Sequence, residues 1–224
     1  MEGFLFSDKL YRKGEVVENI WLEPDIESVY QAMEKGGHVL SVVQTDRAYD
    51  PLVNDQISCK AGVVISSVDI SNELRQFGLW CVEGAKGYSE REKKTTVAEL
   101  LIRAEAKEAL QIAKKFANGE VNHDQVVVLY SRLKPILEVV PMCKIAERNW
   151  WQKMWHQEYE EMSYRVYYAE LAVLSLINPD HGMSAFWTLY HTCNSVGFWY
   201  FDLLSFHKKG HTEFQRMIIG VLNS

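Results

Sequence analysis

Apolar residues near the start of the chain occur in short blocks, which predicts strands around one helix. Val16 to Trp21 and His38 to Val43 are dominated by β-branched and other apolar residues, as strands are. Between these blocks, apolar residues three and four positions apart follow Pro24 and stop at Gly36-Gly37. Because proline suits a first helical position and glycine follows a last one, this segment is predicted to be a helix.

The sheet is predicted to continue beyond this βα unit. Val63 to Ile70 and Leu79 to Val82 are predicted to be neighbouring antiparallel strands. Tyr49 to Gln56 contains proline, asparagine and aspartate and is predicted to form turns. Gly84 to Lys94 is rich in glycine and charge, so an exposed loop is predicted there.

Helical patterns begin after this loop. Thr96 and Glu99 have the spacing of a capping box, and Val97 to Ala117 is predicted to be one helix that stops at Asn118-Gly119. Gln125 to Tyr130 fits either a strand or a helix, because its three consecutive valines favour a strand while its setting between helices favours a helix. Pro135 is expected to limit either element.

The remainder is predicted to be helical and rich in aromatic residues, with 16 of the 27 Phe, Trp and Tyr residues after position 140. Asn178-Pro179 interrupts the helical pattern, and Gly210 is expected to separate a last short helix, Thr212 to Leu222. Met183 to Phe206 approaches the length of a membrane span, but Asp202 within it favours a buried helix.

Together these patterns predict an α+β protein. A small N-terminal mixed sheet with one or two helices is followed by an aromatic-rich α-helical C-terminal half. We place the boundary near residue 95, so that residues 1–95 carry the sheet and residues 96–224 form a helical region packed against it as one unit.

Composition narrows the classes of function. The chain has a net charge of −6, which disfavours nonspecific binding to nucleic acids or anionic lipids, and residues 1–95 alone carry −5. Its four cysteines lie far apart in the sequence, which predicts reduced thiols, a cytoplasmic location and no metal or other cofactor. The common nucleotide-binding, zinc-protease and hydrolase patterns do not occur in the sequence.

The leading hypothesis is a non-enzymatic, cytoplasmic protein-binding factor such as an inhibitor, immunity-type protein or adaptor. Its partner is expected to have a basic surface, as a nucleic-acid-binding enzyme masked by such a factor would. We expect charge from Glu23, Asp25 and Glu27 to speed association, and an exposed Trp150 or Trp151 to act as the anchor.

A metal-dependent nuclease or phosphodiesterase is the alternative, built on Asp69, Glu83 and Lys86. Two carboxylates on adjacent strands can hold Mg²⁺, and a nearby lysine can stabilise phosphoryl charge. These residues resemble the D…(E/D)-x-K core of restriction-type nucleases, with one more residue between Glu83 and Lys86.

The sequence also contains a candidate pair of metal ligands and a cysteine close to a histidine. His156 and Glu160 are four residues apart on a predicted helix and could supply two metal ligands. Cys193 is expected to be a core residue, since His191 lies two positions away and faces elsewhere on a helix. A third class of function is a small-molecule binder. It would use a cavity between aromatic helices, lined by Tyr168, Trp187 and Tyr190.

Overall fold

The fold is a four-stranded sheet combined with helices, as seen in a computed structural model that describes residues 1–46, 57–84, 96–139, 156–196 and 200–223. The strands are β1 (Glu2–Ser7), β2 (Val16–Leu22), β3 (Val39–Gln44) and β4 (Ile57–Asp69). The helices are α1 (Ile26–Ala32), α2 (Ser71–Leu79), α3 (Val97–Leu100), α4 (Ala104–Ala117), α5 (His123–Leu137), α6 (His156–Leu176), α7 (His181–Val196) and α8 (Tyr200–Leu222). A 3₁₀ turn, Met33–Lys35, follows α1, and a π-helical turn, Trp80–Gly84, follows α2.

The described chain divides into two compact units. The sheet-bearing unit comprises Met1–Phe77, Asp180–Phe186 and His211–Ser224. The helical unit comprises Gly78–Pro179 and Trp187–Gly210.

In the sheet-bearing unit the strands follow the order β1-β3-β4-β2, and each neighbouring pair is antiparallel. The two edge strands also meet at one point. Phe4 N–H donates to the carbonyl of Glu23 at 2.8 Å, and Glu23 N–H donates to the carbonyl of Phe4 at 2.7 Å. This bridge curls the sheet and covers part of the edges that an open sheet exposes.

The described residues of this unit form two apolar centres. One consists of strand residues and contains Val17, Leu22, Val43, Cys59 and Val64. The other is aromatic, and its ring centroids lie 5.2 Å apart for Tyr30 and Phe186 and 5.5 Å apart for Phe77 and Phe214. Tyr30 also donates its hydroxyl to the carbonyl of Phe186 at 3.2 Å, so its one polar group is satisfied.

In the helical unit, α4 and α5 present apolar faces at helical spacing. Ala106, Ala109 and Ala113 are buried on α4, and small side chains let a neighbouring helix approach closely. Leu133 and Leu137 are buried on α5, whose first turn is fixed by a capping box between Asn122 and Gln125.

The predicted α+β class is confirmed, with a small N-terminal sheet and a helical, aromatic-rich C-terminal half. The capping box of Thr96 and Glu99 is present, and α4 ends at Ala117, with Asn118 as its C-cap before Gly119, whose φ is 74°. The segment 125–130 is helical and lies within α5. The predicted turns at residues 49–56 and most of the predicted loop after Gly84 lie outside the described residues.

One strand prediction was wrong, because Leu79 to Val82 is helical. Asp69 Oδ1 accepts a hydrogen bond from Ser71 N–H at 2.8 Å where α2 begins. The side chains of Leu74, Phe77 and Cys81 are then buried three and four positions apart, which is helical spacing. A short apolar run alone does not distinguish a strand from a buried helix. The strand β1 was not predicted at all.

Two helix boundaries also differ from prediction. The segment 97–117 is two helices, because Leu101 and Arg103 have extended backbones with ψ of 120° and 140°. Gly210 does not end a helix but lies inside α8. Pro135 is likewise tolerated inside α5, where it removes one hydrogen bond close to the C-terminal end.

Among the described residues, no helix has the length and apolar character needed to cross a membrane. The segment that most resembled a span, residues 183–206, is divided between α7 and α8.

Candidate functional site

An exposed tryptophan on β2 marks the candidate site. Val17 and Leu22 are both buried although they are five positions apart, and strict alternation would place them on opposite faces. Asn19 lies between them with φ of 53°, a left-handed conformation that asparagine tolerates better than most residues. This irregularity shifts the alternation, so Trp21 is directed outward and 52% exposed.

Two exposed valines lie on the same pair of strands. Val16 and Val63 are direct partners in the β2–β4 ladder and are 57% and 42% exposed, while Trp21 pairs with Ser58 in the same ladder. Isolated exposed apolar residues are ordinary, but three large ones on one ladder are candidates for contact with a partner. We call Val16, Trp21 and Val63 the ladder surface.

Acidic residues flank the ladder surface. Glu18 is exposed between Val16 and Trp21 on β2, and Asp25 and Glu27 are exposed just after this strand. Asp25 also accepts a hydrogen bond from Ser28 N–H at 2.8 Å and thereby caps α1.

The other acidic residue predicted to bind a partner, Glu23, is only 6% exposed, and its backbone forms the bridge to Phe4. Glu27 Oε1 lies 3.8 Å from His211 Nδ1. Of the three residues named from sequence, Asp25 and Glu27 therefore present charge at the surface, and their role in binding stays a prediction.

The predicted anchors Trp150 and Trp151 lie outside the described residues. Trp21 and Glu18 were not among the residues predicted to contact a partner. The available signal was a tryptophan on a short strand, between Glu18 and Glu23, in the most acidic part of the chain.

Asp69, the first residue of the hydrolase alternative, ends β4 near two histidines. Burial raises the pKa of Asp69, but hydrogen bonds from Ser71 and the neighbouring His38 and His181 together lower it below its usual value. The His38 and His181 rings are 5.9 Å apart and perpendicular. Burial lowers the pKa of Arg75 below its usual value, although the carboxylates of Asp69 and Glu73 act to raise it.

The other two residues of that alternative are not placed beside Asp69 by any described strand pairing. Glu83 lies in the π-helical turn of the helical unit, where its carboxylate forms an ion pair with Lys114. Lys86 lies outside the described residues. Since Leu79 to Val82 is helical, the adjacent-strand arrangement on which this site was based is wrong.

The metal alternative, His156 and Glu160, stays a prediction. His156 and Glu160 begin α6, but their side chains lie outside the described part of the chain. Among the described residues, no group of three or more His, Cys, Asp or Glu side chains is arranged to hold a metal ion.

The aromatic residues of the small-molecule hypothesis do lie together in the helical unit. The His191 ring stacks between those of Trp187 and Tyr168, with centroid distances of 5.7 and 6.0 Å. Tyr190 lies edge-on to Trp187 at 5.4 Å. Burial lowers the pKa of His191 to about 4, so its imidazole is neutral at pH 7.

Cys193 on the same helix is buried, and burial raises the pKa of its thiol to about 12. A thiol with this pKa is not a nucleophile at neutral pH.

Comparison with known proteins does not identify a family or a function: no protein-family model, no curated protein and no solved structure matches this chain.

Proposed function

We propose that this protein is a non-enzymatic binding factor, of the adaptor or inhibitor type, whose ladder surface docks onto a partner protein with a basic surface. The observation that carries the proposal is the exposure of Trp21 on an edge strand that also carries exposed Glu18, three positions earlier. Tryptophan is among the residues most enriched at binding hot spots, because its large ring loses much apolar surface to water on contact.

The charges support a basic partner. Residues 1–95 carry 16 acidic and 11 basic side chains, and exposed Glu18, Asp25 and Glu27 lie on or just after β2. Complementary charge chiefly speeds encounter, while a desolvated aromatic side chain chiefly slows dissociation. The proposal includes a cytoplasmic location, where buried free thiols such as those of Cys59, Cys81 and Cys193 stay reduced.

The experiment compares affinity capture from the cells that naturally make the protein, using wild type, Trp21→Ala and the control Tyr164→Ala. Tyr164 is 56% exposed on α6, so its variant also removes one exposed aromatic ring but leaves the ladder surface unchanged. We expect quantitative mass spectrometry to identify a basic protein retained by wild type and Tyr164→Ala and lost with Trp21→Ala.

Kinetics with the purified partner then separate the two contributions. Trp21→Ala should speed dissociation by roughly tenfold or more, since hot-spot truncations exceed about 1.4 kcal/mol. The double variant Glu18→Lys/Glu27→Lys should instead slow association and reduce its dependence on salt. If both variants match wild type, with folding checked by circular dichroism, this binding surface is wrong.

A hydrolase built around Asp69 is the second candidate, favoured by the proximity of His38, His181 and Arg75. Imidazoles can transfer protons, and a guanidinium can stabilise a developing phosphoryl charge. Hydrolysis of RNA, DNA and a small phosphodiester by the purified protein would be assayed with and without Mg²⁺. Activity in wild type that is lost in Asp69→Asn would favour this candidate over the binding factor.

A further inference from the structure

A small pocket opens on the sheet at the Val16–Val63 end of the ladder surface. Its volume is about 200 Å³, and it lies over β4 at the end of β3. Drug-sized ligands fill pockets of roughly 300 to 1,000 Å³, so this pocket suits one side chain better than a free cofactor. Its walls include Val16, Gln44, Thr45, Asp46, Ala61 and Val63.

The walls are of two kinds. Val16, Ala61 and Val63 supply aliphatic surface, whereas exposed Gln44 and Asp46 supply an amide and a carboxylate at the end of β3. Thr45 is buried, and its hydroxyl accepts a hydrogen bond from the thiol of Cys59 at 2.9 Å. The groups able to meet an incoming polar atom are therefore those of Gln44 and Asp46.

The residues that line the pocket determine which kind of side chain can bind in it. A purely apolar side chain would desolvate the Asp46 carboxylate without compensation, and an acidic one would be repelled by it. Lysine and arginine combine an aliphatic stem with a terminal cation, so they match both kinds of wall.

The surrounding charges are mixed. The Met1 amino group donates to the carbonyl of Thr45 at 2.8 Å, and Lys60 is exposed on β4, while Glu18 is exposed on β2. The Asp46 carboxylate is the only acidic group among the described residues that line the pocket.

We propose that this pocket receives one lysine or arginine side chain of the basic partner. The identity of that partner rests on the proposed function, but binding of the side chain itself does not. Val16 and Trp21 are five positions apart on β2, which corresponds to about 17 Å of strand. A partner segment of about five extended residues would therefore reach from the pocket to the tryptophan.

The test uses amino-acid amides and requires no identified partner. ¹⁵N-labelled protein is titrated with N-acetyl-lysine methylamide and N-acetyl-arginine methylamide, and with N-acetyl-norleucine methylamide as the uncharged analogue of the same stem. For a ligand of this size we expect a dissociation constant on the order of 1 mM for the cationic amides. Chemical-shift changes should centre on the amides of Ala61, Val63 and Asp46.

Two variants show whether the carboxylate is responsible. Asp46→Asn should weaken binding of the lysine amide at least fivefold, to the level of the norleucine amide. Glu34→Gln removes another exposed carboxylate of the same unit and should leave binding unchanged. A folded wild type whose spectrum does not change with the lysine amide, or equal binding of the norleucine amide, would overturn the proposal.

The two proposals fail in different ways. If the lysine amide binds at the pocket but Trp21→Ala captures the same partners as wild type, the proposal for the pocket is supported and the proposal for the ladder surface is wrong. If Trp21→Ala loses the partner but the amides do not bind, the proposal for the ladder surface is supported and the proposal for the pocket is wrong.

Discussion

The carboxylate of Glu170 is fully buried and is held by Arg103 from two directions. Glu170 Oε1 accepts the backbone N–H of Arg103 at 3.0 Å, and Oε2 accepts the guanidinium Nε–H at 2.5 Å. The guanidinium also donates to the carbonyls of Ile136 and Leu137 at the end of α5. Arg103, in the connection between α3 and α4, thus links α5 to α6. These contacts explain why the helical pattern of residues 97–117 is interrupted at Arg103.

We expect Glu170→Ala to destabilise the protein by about 3 to 5 kcal/mol, because it leaves the Arg103 guanidinium without its buried counter-charge. The double variant Arg103→Met/Glu170→Leu should recover part of this loss, since apolar side chains can replace a buried ion pair. Urea unfolding followed by circular dichroism measures both values.

The exposed pair of Arg216 and Glu213 provides the control for this prediction. Arg216→Ala should destabilise the protein far less than Glu170→Ala does, as exposed ion pairs contribute little. A similar cost for Glu170→Ala would show that the buried pair does not hold the helices together.

Gly210 is expected to be required by packing although it lies inside α8. A Cβ atom there would lie 2.6 Å from Leu189 Cδ1, and Leu189 is fully buried and so has little room to move. We expect Gly210→Ala to destabilise the protein by about 1 to 2 kcal/mol, because the clash exceeds the gain in helix propensity. Thermal unfolding would measure the change.

Gly220 in the same helix is the matched control, because no heavy atom lies within 4 Å of a Cβ built there. Gly220→Ala should raise stability by roughly 0.5 to 1 kcal/mol. An equal gain at both positions would contradict the packing explanation.

The protein should lose stability on mild acidification because of His191. Burial lowers its pKa from 6.5 to about 4 in the folded chain, so between these values the unfolded chain takes up a proton that the folded chain does not. Stability therefore falls as the pH drops from 6.5 towards 4, by up to about 3 kcal/mol from this group.

The variant His191→Phe keeps a ring between Trp187 and Tyr168 but cannot titrate, so its stability should fall less over this pH range. Urea midpoints measured at several pH values test this prediction. If the midpoints of wild type and His191→Phe change with pH to the same extent, the loss of stability does not come from His191.

Cys193 should resist alkylation in the folded protein. Because burial raises the pKa of its thiol to about 12, only on the order of one molecule in ten thousand carries the thiolate at pH 8. Iodoacetamide at pH 8 should leave Cys193 unmodified over hours and modify it within minutes in urea, as read by peptide mass spectrometry. Rapid modification of the folded protein would show that this thiol is accessible.

Local chemistry was sufficient where a few neighbouring residues decide the structure. The capping box of Thr96 and Glu99 satisfies backbone groups within one turn, and Gly119 adopts the positive φ that ends α4. The strands at Val16–Leu22 and Val39–Gln44 followed from β-branched and apolar residues. The α+β class depends on the order of such patterns along the chain, which is why it too was predictable.

Contacts distant in sequence decided the rest. Leu79 to Val82 is helical although its short apolar run also fits a strand, and Gly210 lies inside a helix at a point where Leu189 leaves no room for a Cβ atom. The burial of Val17 and Leu22 leaves Trp21 at the surface, and the pocket forms where β2, β3 and β4 pair in that register. Composition indicated an acidic, aromatic-rich chain, but which side chains meet solvent depends on packing between segments that no local pattern specifies.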